Sequence, residues 1–122
     1  MLKLNPNSKE AIYKQIENNI IEYILLGIFE PNQLLPSVRN LSKQLGINPN
    51  TVQKAYQELE EKGYIYFVLG KGTYIADNKQ VFHRIRISKL DELESLINDM
   101  IKIGINKSDI KKTIRKSIGE DI

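Results

Sequence analysis

The stretch from Leu35 to Gly63 constrains the fold of this chain more than any other. Val38, Leu41 and Leu45 recur at helical spacing over about two turns. Ser37 stands before them as an N-cap and Gly46 after them as a stop. Ile47 fills the turn. Asn48 then caps a second helix with Pro49 at its first position, where a missing N–H costs nothing. Val52, Ala55, Tyr56 and Leu59 follow at i, i+3, i+4 and i+7, and Gly63 ends the run. Two short helices around a tight turn, the second with one apolar and one polar face, read as a helix-turn-helix.

The flanks extend this reading. Ile12, Ile16, Ile20 and Ile24 line one face of a preceding helix, with Tyr13 and Tyr23 beside them. Ser8 is the expected N-cap of that helix, with Glu10 in its first turn, and Gly27 suits its end near Leu26. After Gly63, the segment 64–69 is rich in β-formers, Gly70-Lys71-Gly72 makes a turn, and 73–76 is a second strand. A helix-turn-helix followed by a β-hairpin is a winged helix. Residues 77–80 read as a polar linker. Between 81 and 87 the pattern is ambiguous, alternating like a strand yet able to extend the next helix. Leu90, Leu93, Ile97, Met100 and Ile101 mark an amphipathic helix that stops near Gly104. Asn106 caps a last helix lined by Ile110, Ile114 and Ile118, with Asp109 completing a variant capping box. The expected fold is mainly α with a small β-hairpin. A winged helix-turn-helix domain over residues 10–78 precedes a two-helix C-terminal dimerisation region over 79–122.

Composition restricts the function classes. With no cysteine there is no disulfide and no cysteine-ligated metal. His83 is the only histidine; beside Phe82 it reads as a packing or surface residue, no second His and no Cys offers a metal partner, and no Ser/His/Asp arrangement can be argued from it. Carboxylate pairs occur only within helical charge patterns. The expectation is therefore no enzyme, no metal and no cofactor. No apolar run is long enough to span a bilayer, and the N-terminus lacks a signal-peptide core, so the chain is expected in the cytoplasm with no membrane partner.

Bulk charge does not by itself point to DNA. Residues 1–77 hold eight Lys/Arg and eight Asp/Glu, and the whole net charge of +3 lies in residues 78–122. Local placement must supply any attraction to phosphate, which acts over roughly a 10 Å Debye length.

The polar face of the second motif helix carries Asn50, Thr51, Gln53, Lys54 and Gln57. Asn and Gln amides suit adenine, whereas hydroxyls and lysine suit phosphate or guanine. For an isolated helix the plainer reading, a solvated face, would prevail; the preceding helix, the turn and the wing favour DNA. Arg39 is placed to reach a phosphate or base edge, with a weak surface ion pair as its plainer reading. Gly70 and Lys71 put a cation at the hairpin tip. In the resulting scheme Ser37, Arg39, Thr51 and Lys71 anchor phosphates, while Asn50, Gln53 and Lys54 face base edges. Glu58, Glu60 and Glu61 form the far, solvated end. Leu90, Leu93, Ile97, Met100 and Ile101 exceed what a satellite helix needs and suit pairing with a second subunit, which would let two motifs read two half-sites.

The residues 35–42, 45–65 and 70–75, taken in order, resemble the GntR family of bacterial transcription regulators, and the short tail resembles its YtrA-type subfamily. The resemblance implies a homodimeric repressor joined by C-terminal helices, acting on its own operon and neighbouring transporter genes. Carried over by position, the family's DNA contacts fall on Arg39, Asn48, Asn50, Thr51, Gln53, Gly70 and Lys71. Family members often have a basic residue where this chain has Pro49 and Arg where it has Gln53; the losses reduce phosphate or guanine contact and imply a readout more tolerant of A·T. Many relatives carry a large effector domain after the wing; about 45 residues remain here, too few for such a pocket. The implied partners are double-stranded DNA with a palindromic operator, a second copy of the chain, and a small-molecule effector of undefined chemistry. The alternative is a winged-helix protein–protein adaptor that binds no DNA, which the neutral charge of residues 1–77 keeps open.

Overall fold

The computed structural model describes residues 2–120. They form α1 (Ile12–Leu25), α2 (Val38–Leu45), α3 (Pro49–Glu61), β1 (Ile65–Val68), β2 (Gly72–Ile75), α4 (Lys79–Lys102) and α5 (Lys107–Ile118). The chain divides into two compact units, residues 1–82 and 83–122.

In the first unit α3 is the centre. It packs on α1, α2 and β1. Val52, Ala55 and Leu59 are fully buried and Tyr56 nearly so, which is the apolar face expected from their spacing. Ile16, Ile20 and Ile24 supply the α1 side of the core, and Leu35, Leu41, Tyr64, Ile65 and Ile75 close it. Both motif helices are capped as expected. The Ser37 hydroxyl accepts from the Asn40 N–H at 3.1 Å, and the Asn48 carbonyl oxygen Oδ1 accepts from the Asn50 N–H at 2.8 Å. Gly46 ends α2 in the left-handed conformation, φ 66°.

The start of α1 differs from expectation. Ser8 does cap a turn, accepting from the Glu10 N–H at 3.1 Å, but the helix begins at Ile12 behind Ala11, with no side-chain cap. Gln15 takes over the local work: it accepts from the Asn5 N–H at 2.7 Å and donates to the Asn5 and Glu10 carbonyls. A buried side chain thus holds the segment that Ser8 and Glu10 were expected to make helical.

The hairpin pairs Ile65 with Ile75, Tyr66 with Tyr74, Phe67 with Thr73 and Val68 with Gly72. Its second strand has a further partner. The Asn32 N–H donates to the Ile75 carbonyl (2.7 Å), the Ile75 N–H to Gln33 (2.9 Å) and the Leu35 N–H to Thr73 (2.8 Å). The wing is therefore fastened to the chain that leads into α2. Gly72 is required at this seam. Its φ is 128°, and a Cβ there would stand 3.0 Å from the Leu34 side chain.

A hydrogen bond sets α2 on α3. The Tyr56 hydroxyl donates to the Pro36 carbonyl at 2.7 Å, satisfying a backbone acceptor just before the Ser37 cap. Burial holds the Tyr56 phenol well above its usual pKa, so it remains a donor.

The second unit begins within α4. The expected linker is partly helix: the Asn78 side chain accepts from the Val81 N–H at 3.2 Å and so caps α4. This resolves the ambiguity at 81–87 in favour of helix, with Phe82 stacked on Tyr64 at 6.2 Å. Asn106 caps α5 by accepting from the Ser108 N–H, and Ile110 is the one buried apolar residue among those described in this unit.

Replacing Tyr56 with Phe should lower the unfolding free energy by about 1 kcal/mol, the net value of one such bond. Urea denaturation should show a lower midpoint with an unchanged slope, because the surface exposed on unfolding is the same.

Candidate nucleic-acid interface

Because one face of α3 is buried, the opposite face is presented to solvent by geometry alone. Asn50, Gln53, Lys54 and Gln57 are exposed and Thr51 half-exposed. The capping bonds divide the labour among the amides. Asn48 accepts the Asn50 N–H at its side-chain carbonyl oxygen, which leaves its NH2 donors for a phosphate oxygen. The Asn50 and Gln53 side chains make no hydrogen bond among the described residues, and both keep the paired donor and acceptor that an adenine edge requires. Ser37, likewise used as a cap acceptor, keeps its O–H for a phosphate.

A cleft of about 680 Å³ lies between α2, α3 and the wing. Ser37, Arg39, Gln53 and Lys71 all line it, so three separate elements bring four of the expected contacts together. Its apolar floor includes Leu35, Pro36 and Tyr56. Gly70 lies in the hairpin turn with φ 78°, and the Lys71 N–H closes that turn on the Val68 carbonyl at 2.9 Å. Neither Arg39 nor Lys71 is ion-paired among the described residues. Both cations are thus available to an external anion. Asn40, Phe67 and Thr73 also line the cleft; sequence reasoning missed them, because only the packing of the wing against α2 brings them there.

The acidic end of α3 is a correction. Glu58, Glu60 and Glu61 are not one solvated cluster. Glu60 lines the cleft and Glu61 is exposed, but Glu58 turns toward α1 and pairs with Lys14 at 3.3 Å. Beside it lies Glu17 of α1, with a side chain 1% exposed. The Lys62 ammonium donates to its Oε1 at 3.0 Å, while Oε2 is buried without a hydrogen-bond donor, 3.6 Å from the Lys14 ammonium. Burial is the main cause that raises the Glu17 pKa; the neighbouring Glu58 carboxyl adds to it, and Lys62 and Lys14 oppose it. Glu58 is shifted the other way, first by the neighbouring Glu17 carboxyl and then by Lys14. Sequence spacing could not reveal this set, since Lys14 and Glu58 belong to elements far apart in the chain.

On the same flank the Lys54 ammonium sits 4.0 Å from the centre of the Tyr13 ring. The polar face of α3 is therefore split. Gln53, Gln57 and Glu60 serve the wing cleft, and Lys54 and Glu58 face α1.

In the second unit α4 has no buried residue. Leu93, Ile97 and Met100 join Leu96, Ile110 and Ile114 around an apolar groove of about 380 Å³. Leu90 and Ile101, expected on the same dimer face, lie outside that groove and are exposed by 64% and 42%. His83 is exposed, and no group of potential metal ligands occurs among the described residues. No helix among them is long and apolar enough to cross a membrane.

A capped helix-turn-helix, a lysine-tipped wing and an exposed amide-rich helix face define a winged-helix DNA-binding regulator. The family model for bacterial regulatory proteins of the gntR family matches residues 12–75, and the chain belongs to that family. The transcriptional repressor YtrA of Bacillus subtilis (strain 168) is 38% identical over 125 residues, spanning 100% of this chain and 95% of that protein. A GntR family transcriptional regulator from Listeria monocytogenes superposes with a TM-score of 0.77 at 39% identity, covering 90% of this chain and 97% of that one. The DNA-binding domain of AraR, solved in complex with operator ORR3, aligns with a TM-score of 0.51 at 32% identity over 62% of this chain and 95% of that one. The protein is a DNA-binding transcription regulator and not an enzyme, and nothing in these likenesses favours the adaptor alternative.

The charged set on α1 and α3 gives a pH signature. Glu17 binds its proton more tightly folded than unfolded, so its contribution to stability declines as pH rises from the unperturbed 4.5 through its raised value. Glu58 acts in the other window: its contribution is lost as pH falls below 4.5. Urea midpoints measured from pH 4.5 upward should decline less steeply for Glu17→Gln than for the parent. An equal slope in both would show that Glu17 does not carry the effect.

Proposed function

We propose that the protein is a homodimeric repressor that binds a palindromic operator, acting in the cytoplasm on its own operon and on neighbouring transporter genes. The observation that carries the DNA-reading part is the convergence of Ser37, Arg39, Gln53 and Lys71 on one cleft beside the exposed face of α3. In this reading α3 enters the major groove, Asn50 and Gln53 address base edges, and Ser37, Arg39, Asn48, Thr51, Gly70 and Lys71 hold phosphates. With Pro49 and Gln53 in place of the basic residues common in the family, the readout tilts toward A·T. The name of the Bacillus subtilis relative, a repressor matched over the whole of this chain, supports repression.

A footprint on the protein's own promoter region should show a protected inverted repeat; an unprotected region would sink the autoregulatory reading. Gln53→Ala should weaken binding to that repeat by about 1–3 kcal/mol while relaxing discrimination at one position. Lys71→Ala should weaken binding to all duplexes and reduce the steepness of the salt dependence by about one. Variants that bind as well as the parent would remove the helix face or the wing from the interface.

The dimer reading rests on the second unit. Its groove is lined by Leu93, Leu96, Ile97, Met100, Ile110 and Ile114, an apolar surface that a second copy of the same helices would withdraw from water. The substitutions Leu93→Lys and Ile97→Lys together should give monomers in sedimentation and much weaker operator binding. A dimer that persists would place the interface elsewhere.

A further inference from the structure

The geometry points to Tyr13 as a positioning residue for DNA binding. Its ring holds Lys54 on the α1 flank of the recognition helix, which makes Lys54 a phosphate contact and not a reader of base edges.

Three observations support this. Lys54 is exposed, and its ammonium lies 4.0 Å from the centre of the Tyr13 ring. Lys14, the other cation near that ring, is 5.6 Å away and is engaged by Glu58 at 3.3 Å. Lys54 has no carboxylate partner among the described residues, so the aromatic face is what orders it while its charge remains unneutralised. A ring face attracts an ammonium without consuming its N–H donors, which stay free for a phosphate oxygen.

The direction of the side chain decides its role. Gln53 and Gln57 turn toward the wing cleft, whereas Lys54 is drawn toward the first turn of α1. A lysine pulled to the edge of the helix meets the backbone bordering the groove before it meets the base pairs at its floor. Two cationic flanks then bracket α3: Arg39 and Lys71 on the wing side, Lys54 on the α1 side. An ammonium ordered before contact also loses less side-chain freedom on binding. Lys54 thereby supplies affinity and register, and discrimination stays with Asn50 and Gln53.

This rests on the reading that α3 enters the major groove, and the test separates the two. The full-length protein is used to enrich a duplex from a random DNA pool, and affinities for that duplex and a scrambled one are measured against salt. Failure of the parent to enrich any duplex would overturn the groove reading itself. If the parent binds, Lys54→Gln should weaken both duplexes by the same factor and reduce the salt slope by about one per protomer. Tyr13→Leu should weaken both by about two- to fivefold per recognition helix, and Tyr13→Phe, which keeps the ring, should restore parental binding. In a Lys54→Gln background, Tyr13→Leu should add no further loss.

The inference is overturned if Tyr13→Leu binds like the parent, or if its loss is undiminished without Lys54. It is equally overturned if Lys54→Gln alters preference among sequences at an unchanged salt slope. Should Tyr13→Leu fail to fold, as thermal melting would reveal, the Lys54→Gln salt slope and the Tyr13→Phe affinity still decide the matter.

Discussion

The complete burial of Val52, Ala55 and Leu59 is the constraint on which the first unit depends. A helix with one face out of water has its rotation about its own axis fixed. Turning α3 by a single residue would expose about 100° of apolar surface and bury amides with no partner, each costing roughly 1–3 kcal/mol. The positions of Asn50, Gln53 and Gln57 in solvent are thus a consequence of packing on the other side. The face proposed to read DNA is held in place by the buried residues on the opposite side of the helix.

That constraint is reinforced from three sides. The Tyr56 hydroxyl ties the entry of α2 to α3, the seam of residues 32–35 with β2 fixes the wing, and Lys62 and Lys14 draw Glu17 and Glu58 together across α1 and α3. The last of these is electrostatically costly. A carboxylate as buried as Glu17 is unfavourable unless its partners offset the lost hydration, and here only one of its oxygens receives a hydrogen bond. The arrangement makes more sense as a device of position than of stability: it sets the far end of α3 against α1 and turns Glu58 away from the wing cleft.

Most of the fold was legible because it rests on local rules. Ser37, Asn48 and Asn106 cap as their spacing indicated, and the buried set on α3 follows from a 3.6-residue period. The failures occur where a distant partner outweighs the local signal. Ser8 has a helix-capping sequence, but Gln15 draws the preceding segment into a turn. The alternation around Ile85 and Ile87 left strand and helix both open, and the Asn78 cap and the Tyr64–Phe82 stack commit the segment to helix. For the residues proposed to face DNA, periodicity could show which face of α3 is polar. It could not show that this face divides between a cleft and α1, because the division depends on Tyr13 and Lys14, which lie outside the motif.

The seam between residues 32–35 and β2 closes the helix-turn-helix and the hairpin into a ring of chain. Its three backbone hydrogen bonds join the two ends of a loop on the order of forty residues, and closing such a loop costs about 3 kcal/mol of chain entropy beyond a constant term. Three backbone bonds contribute only about 1.5–4.5 kcal/mol in net terms. The ring is therefore near balance on hydrogen bonding alone. What tips it shut is the removal of Leu35 and Ile75 from water at the same seam, 4% and 0% exposed. The wing and the helix-turn-helix are one closed circuit of chain, fastened by two apolar side chains at the clasp.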